Sequence, residues 1–569
     1  MHASDRGNKK ARRCGLSTDL VFSAPKSSHH PPNGTPGHQK AGDTEDKSKD
    51  SEPENGEPLD HLGDAGCRQK RNHHQHHAKD EEYEAHKVFN RHRTLLPFET
   101  PRSAGAARIE RTGESAGTRS IIACASSTSN QLASDPGGDY DRARRRRTTV
   151  NIRSITLFAP WTILPSADDL APYVALATAA RTSLMEAGIT VQMVRLALPP
   201  WSARPGPTDA GSLIAFARQL EALTGPAGID YVSLGPVDVA APGSDLEPLL
   251  AIPALLDATK TVFAAAQIAT PTHGINLDAA TAAARVIQGN TAIEPNGLGN
   301  LRFAILANVP PGSPFFPAAY TDPAWSRPAL ALALESADLA VEAYSGAASL
   351  QVATAELRAR LEAAAATLVA AVAPVAETHS ADFLGLDFSL APFPAPAASA
   401  AGALEALGAL PFGAAGTLLA AAVTTQAVQS ANYPRCGFSG LMLPVLEDST
   451  LAARSASGSY DLHSLLLFSA VCGTGLDTIP LPGTVSRAAL AAILLDVAAL
   501  ALRLAKPLTA RLMPIPGKQA GDLTTFDFPY FANSTVLGVL APPGGALLAG
   551  GQVPIIRLAE RGLTEDDEG

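Results

Sequence analysis

The sequence is short of cysteine: five occur in 569 residues, at positions 14, 67, 124, 436 and 472. Their number is odd and no Cys-x-x-Cys is present. Neither a disulfide framework nor a zinc ribbon is indicated, and a reducing compartment is expected. Lysine almost vanishes after residue 150, where only Lys260, Lys506 and Lys518 remain. Histidine does the same, leaving His273, His379 and His463 far apart and without a His-Glu-x-x-His motif, which argues against a histidine zinc site. No run of 18 apolar residues is free of charge or of Pro and Gly breaks, so no membrane-spanning segment is expected. The first residues are polar and charged, unlike a secretory signal.

What is present divides sharply in two. Residues 1–150 hold 11 of the 14 histidines, 9 of the 12 lysines and no tryptophan. Such a stretch has too little apolar surface to offset the entropy of ordering, and 1–149 are expected to be a disordered low-complexity extension. From Asn151 the chain turns to Ala, Leu, Val and Pro and carries all three tryptophans, Trp161, Trp201 and Trp325. A single domain over 150–543 can bury a substantial core. The Gly-rich residues 544–569, ending in Glu565, Asp566, Asp567 and Glu568, read as a flexible acidic tail. Residues 151–569 carry 20 Lys and Arg against 34 Asp and Glu, a net of −14, which disfavours nucleic-acid binding. Arg144–Arg147 form a solvated junction, and the cluster His73, His74, His76 and His77 belongs to the low-complexity segment. Ile122-Ala123-Cys124-Ala125 is similar to plastid transit-peptide cleavage sites. The acidic stretch 43–64 upstream is unlike such peptides and fits a mis-extended gene equally well. The expected location is intracellular: the cytoplasm, or the plastid if that cleavage site is used.

Within 150–543 strand-like and helix-like patterns alternate. Ile152–Phe158 reads as a buried strand, and Ser166 caps a helix that Gly188 ends. Val191–Leu196, Tyr231–Leu234, Thr261–Ala266 and Arg302–Ala307 follow as strands, with helices over 209–224, 244–258 and 277–289. A helical pair is expected over 328–345 and 350–376, then strands at Phe383–Phe388, Gly437–Pro444, Leu467–Leu476 and Thr509–Pro514. Ala-rich helices to about Ser430, and others near 448–456 and 485–504, separate them. The alternation implies an α/β domain with a largely parallel sheet of nine or ten strands, as a closed barrel or a wide open sheet.

In such folds ligands collect at the carboxyl ends of strands, which directs attention to polar residues just after strand-like runs. Five segments qualify. The first offers Glu294, Asn296, Asn300 and Arg302, and the second Asp387 and Ser389. Cys436–Gly440 with Glu447 and Asp448 forms the third, and Cys472–Asp477 the fourth. Arg511–Asp522 forms the fifth. Asp387, Glu447, Asp477 and Lys518 are the catalytic candidates; Glu294, Asn296, Asn300, Arg302, Ser389, Arg511 and Asp522 are the ligand-binding candidates. Lys518, in a Pro-Gly turn beside Asp522, suits an anion contact or an acid–base role, and equally an exposed turn. If Asp387, Glu447, Asp477 and Asp522 converge they could hold a hard cation, although no metal is selected by the residues alone. Cys472 reads as a small buried apolar residue before a nucleophile. Pro516-Gly517-Lys518-Gln519 is not a P-loop, Gly437-Phe438-Ser439-Gly440 falls short of a nucleophile elbow, and Asn296–Asn300 lacks dinucleotide-loop spacing.

Together IRSITLF, IEPNGLGNLRFA, GLDFSLAPFP, CGFSGLMLPVLED, CGTGLDTIPLPG and ARLMPIPGKQAGD resemble an uncharacterised family, domain-of-unknown-function 711, over about residues 150–540. The resemblance implies a ten-stranded α/β barrel built of two half-barrels, similar to pyruvate formate-lyase and ribonucleotide reductase. It implies no activity. A glycyl-radical loop of the Arg-Val-x-Gly-Tyr type is missing, and Cys436 and Cys472 are not paired thiols, so glycyl-radical chemistry is not expected. The reading is an enzyme acting on a small anionic metabolite; the alternative is a non-catalytic small-molecule-binding or regulatory protein of the same fold. A third reading makes these loops an oligomer interface. A small-molecule ligand and a homodimer are the partners expected, nucleic acid and membrane are not, and no cofactor is indicated.

Overall fold

The structure, a computed structural model, describes residues 150–207, 209–540 and 544–558. The expected N-terminal extension, its histidine cluster and the transit-like site lie outside them.

The first strand, β1 (Asn151–Phe158), is buried on both faces, as a central strand of a helix-covered sheet must be. Helix α1 (Ala167–Glu186) begins where the Ser166 side chain accepts the Asp169 N–H and Asp169 returns a bond to the Ser166 backbone. It ends at Gly188, whose φ of 77° continues the chain in the left-handed region. Strands β2 (Val191–Ala197), β3 (Tyr231–Asp238), β4 (Val262–Thr270) and β6 (Phe303–Ala307) follow β1 in parallel. The short β5 (Gly274–Asn276) folds back on β4.

The second half starts at β7 (Ala329–Glu335) and runs through β8 (Asp382–Ala391), β9 (Gly475–Pro482) and β10 (Leu508–Ile515). β7 pairs parallel with β8, and β9 with β10. The halves meet in antiparallel seams, β1 on β7 and β6 on β10. The continuous strand order is therefore β8-β7-β1-β2-β3-β4-β6-β10-β9. Between its two outer members lies an irregular segment: Arg435 bridges Leu386 of β8, and Pro444 bridges Asp477 of β9, both in the parallel sense.

The helices pack on one face of the sheet, where Ile155, Leu157, Leu332 and Leu196 join the largest apolar cluster. Smaller clusters occupy the other face, with Phe158, Ala197, Phe263 and Phe316 in one. The connection between the halves runs along this second face. Thr156 and Ser233 of the strands donate to the Pro314 and Ala319 carbonyls of the connection, and its Thr321 donates to the Ala197 carbonyl of β2, so hydroxyls on both sides fix it. Among the described residues one helix, Leu350–Thr378, is long and apolar enough by length and composition to cross a membrane. Its Leu357, Leu361, Leu368 and Val372 are buried in the main cluster.

Four expectations require correction. Residues 329–335 (ALALALE) form a strand and not the start of a helix: alanine and leucine favour helices, but pairing with β1 and β8 overrides that weak bias. Leu462–Ser469 is a helix capped by Asp461, and the strand expected at 467–476 starts only at Gly475. Gly437–Pro444 is not a regular strand, because Gly437 (φ 61°) and Ser439 (φ 40°) interrupt any ladder. Residues 544–558 are not a loose tail: Gln552–Val553 adds a strand to β5, and Gly551 donates to Asp278.

Candidate functional site

A cavity opens on the face of the sheet opposite the helices, among β1, β2, β3, β9 and β10. It encloses about 670 Å³ of space, mouth included, of which about 80 Å³ admits the centre of a water molecule. That is room for roughly six waters or a small ligand. Three arginines line it, Arg153, Arg195 and Arg511, together with Glu447 and Asp477, and Phe316 and Tyr231 are among its apolar walls.

Arg153 should point away from its neighbour Ser154 in a regular strand. A register shift between Ile152 and Ser154 against β7 places a bulge there, and Arg153 turns inward. Its Nη2 donates to Glu447 Oε2 at 2.7 Å. Arg511 donates from Nη2 to Glu447 Oε1 at 2.9 Å and from Nε to Asp477 Oδ1 at 2.6 Å. Glu447 thus bridges the two halves of the fold through both oxygens. Burial pushes the Glu447 pKa up, but Arg153 and Arg511 outweigh it and hold the carboxyl below its ordinary value. At Asp477 burial prevails over Arg511, and the value is raised.

The third arginine differs. Arg195 is 8 % exposed, and its Nε has no hydrogen-bond partner. Among the described residues its one hydrogen-bond partner is the Met193 sulfur, 3.6 Å from Nη2. The guanidinium instead lies over the rings of Phe316, at 5.2 Å, and Tyr231, at 5.8 Å. Burial first, then Arg153, lowers its pKa to about 10, which leaves it cationic at neutral pH. Beside it Gln192 donates to Glu335 Oε2 at 2.7 Å. Glu335 Oε1 and Gln192 Oε1 are buried without a partner, and the nearest guanidinium nitrogen to Glu335 is Arg153 Nε at 3.9 Å. Burial raises the Glu335 pKa.

Of the residues singled out in the sequence, the structure brings Glu447, Asp477 and Arg511 together. It places the others elsewhere. Asp387 is fully buried in a separate clamp, accepting the N–H groups of Phe438 and Ser439 and the Ser389 hydroxyl at 2.8, 2.9 and 2.5 Å. Burial pushes its pKa up to about 6. Arg302 ties down the carbonyls of Leu256, Thr259 and Val262 and pairs with Glu294 at 3.1 Å. Asn300 donates to the Ile287 carbonyl, and Asn296 to Thr525. Asp522 accepts the Gln519 N–H in the exposed turn that holds Lys518, which does not line the cavity. Asp448 caps the helix Ser449–Ala456. The four carboxylates considered for a cation do not converge, and no metal-ligand group of three forms among the described residues.

Arg153, Arg195, Gln192 and Glu335 escaped sequence reasoning, which looked beyond strand ends. The usable signal was a charge inside an apolar strand, as in IRSITLF, VRLA and ARLMP.

The family described as Uncharacterised ACR (DUF711) matches residues 147–530. The chain belongs to this family. UPF0210 proteins of Pyrobaculum arsenaticum and Pyrobaculum aerophilum are similar to it. The first is 32% identical over 62% of this chain and 80% of its own length, the second 33% identical over 59% and 76%. The UPF0210 protein of Desulforudis audaxviator is 29% identical over 60% and 78%. The DUF711 match takes in all the strands that carry the cavity's charged side chains.

Proposed function

We propose that this DUF711 protein is an enzyme acting on a small anionic metabolite, bound in the inner cavity with its anionic group on Arg195. One observation carries the reading: a buried guanidinium lacks a carboxylate partner in a cavity where the two other arginines have theirs. A buried, under-bonded cation is costly unless something completes its bonds, and a carboxylate or phosphate oxygen does so. The space available suits a molecule of a few heavy atoms. Asp477 lines the cavity with a raised pKa and is the acid–base candidate.

A second reading, binding without chemistry, is favoured by one feature: both oxygens of Glu447 are already held by arginines, as in a structural ion-pair network. The sheet supports a further proposal. The segment 435–446, bridged to β8 and β9, fills the gap between the sheet's outer strands and closes it as a ten-membered barrel of two half-barrels, similar to pyruvate formate-lyase.

The test is a thermal-shift panel of small carboxylates and inorganic phosphate on the full chain and on Arg195→Met. Stabilisation of the native protein that disappears in Arg195→Met is expected. Equal shifts in both proteins would sink the assignment. Turnover of the best binder, abolished in Asp477→Asn, separates enzyme from binding protein.

A further inference from the structure

The cavity wall carries an under-bonded cation and leads, through the amide of Gln192, to a weakly paired anion behind it. Arg195 is the cation without a carboxylate. Glu335, behind the lining, is the anion: its Oε1 accepts no hydrogen bond and lies 3.9 Å from Arg153 Nε, and its Oε2 meets the neutral amide of Gln192. The amide of Gln192 is oriented by this contact, because only its NH₂ end can donate to a carboxylate. Its Oε1 is left as a buried acceptor with no donor, on a side chain that lines the cavity. An anion alone would complete Arg195 and leave Gln192 Oε1 and Glu335 as they are. A ligand with a second, donating group completes both.

Resting on the anion-binding reading above, we propose that the ligand is a small zwitterion, a carboxylate bearing an ammonium group as in an α-amino acid. Its carboxylate meets Arg195. Its ammonium meets Gln192 Oε1, with the Glu335 carboxylate behind the amide. An ammonium is preferred to a hydroxyl because the Glu335 carboxylate behind the amide, with its nearest guanidinium nitrogen 3.9 Å away, adds negative charge to the neutral acceptor. A zwitterion adds no net charge to a buried site whose three lining arginines are balanced by Glu447, Asp477 and, behind the lining, Glu335.

Calorimetry on the full chain tests this with matched probes: glycine, alanine and aspartate; their hydroxy counterparts glycolate, lactate and malate; and acetate, propionate and succinate. The expected result is binding of at least one amino acid at least tenfold tighter than its hydroxy and plain counterparts. Glu335→Gln and Gln192→Leu should each reduce that ratio towards one and leave the plain carboxylate's affinity unchanged. If Glu335→Gln does not fold, Gln192→Leu carries the same test. Plain or hydroxy acids binding as tightly as the amino acids would overturn the zwitterion and leave the anion reading standing. Affinities for all three sets that are unmoved in Arg195→Met, or no binding of any probe to the native protein, would overturn both.

Discussion

Glu447→Gln is the sharpest probe of the buried charge network. The substitution keeps the shape and removes one charge from between Arg153 and Arg511, which approach to 2.7 and 2.9 Å. Breaking a buried ion pair by removing one partner costs about 3–5 kcal/mol. For a domain of about 390 residues the unfolding entropy is roughly 0.8 kcal/mol/K, so Tm should fall by about 4–6 °C. The sign with pH follows from the lowered pKa of Glu447 in the folded state. Its contribution is present above the unfolded value, near ~4.3, and is lost as pH falls through the folded value. Calorimetry and urea unfolding at pH 7 should therefore show the full difference, and the gap should shrink below about pH 4. A variant within about 0.5 kcal/mol of the native protein at pH 7 would refute the reasoning, as would a gap that does not change with pH.

Four further outcomes are expected. Gly437→Ala should be destabilising by about 2–4 kcal/mol, because its Cβ would lie 2.1 Å from Asp387 Oδ2 at a φ of +61°. Gly458→Ala, at φ +65° with open space around it, should lose only about 1 kcal/mol, and urea unfolding compares the two. At Asp387 the pKa is raised to about 6, so the stability it contributes is full below the unfolded value and is lost as pH rises through about 6. The advantage of the native protein over Asp387→Asn in unfolding experiments should therefore narrow from pH 4 to pH 7; a widening gap contradicts this. Lys518→Ala should leave unfolding within about 0.5 kcal/mol and anion binding unchanged, which the same thermal-shift panel reads directly.

Where local chemistry decides the structure, the sequence was legible. The Ser166 cap and the Gly188 stop appear where the residue types require them. So do the parallel strands β1 to β4 and β6, whose apolar segments are bounded by turn residues. Where distant pairing decides, it was not. ALALALE carries a helical bias, and only its neighbours β1 and β8 make it a strand. The site was legible in half. Glu447, Asp477 and Arg511 stand beside Gly- and Pro-rich turns, which drew attention to them. Arg153 and Arg195 lie inside strands, and the bulge that turns Arg153 inward has no local sequence mark. Asp387, Arg302 and Lys518 looked equally functional in one dimension. In three they clamp a turn, tie down helix-end carbonyls and occupy an exposed loop.

The central claim is that Arg195 receives the ligand's anionic group. A crystal structure of the full chain soaked with the tightest-binding carboxylate or phosphate probe tests it most directly. An anionic oxygen is expected about 3 Å from Arg195 Nε, with Glu447 still held by Arg153 and Arg511. A ligand bound elsewhere, or an Arg195 that turns instead to pair with Glu447 or Asp477, would contradict it.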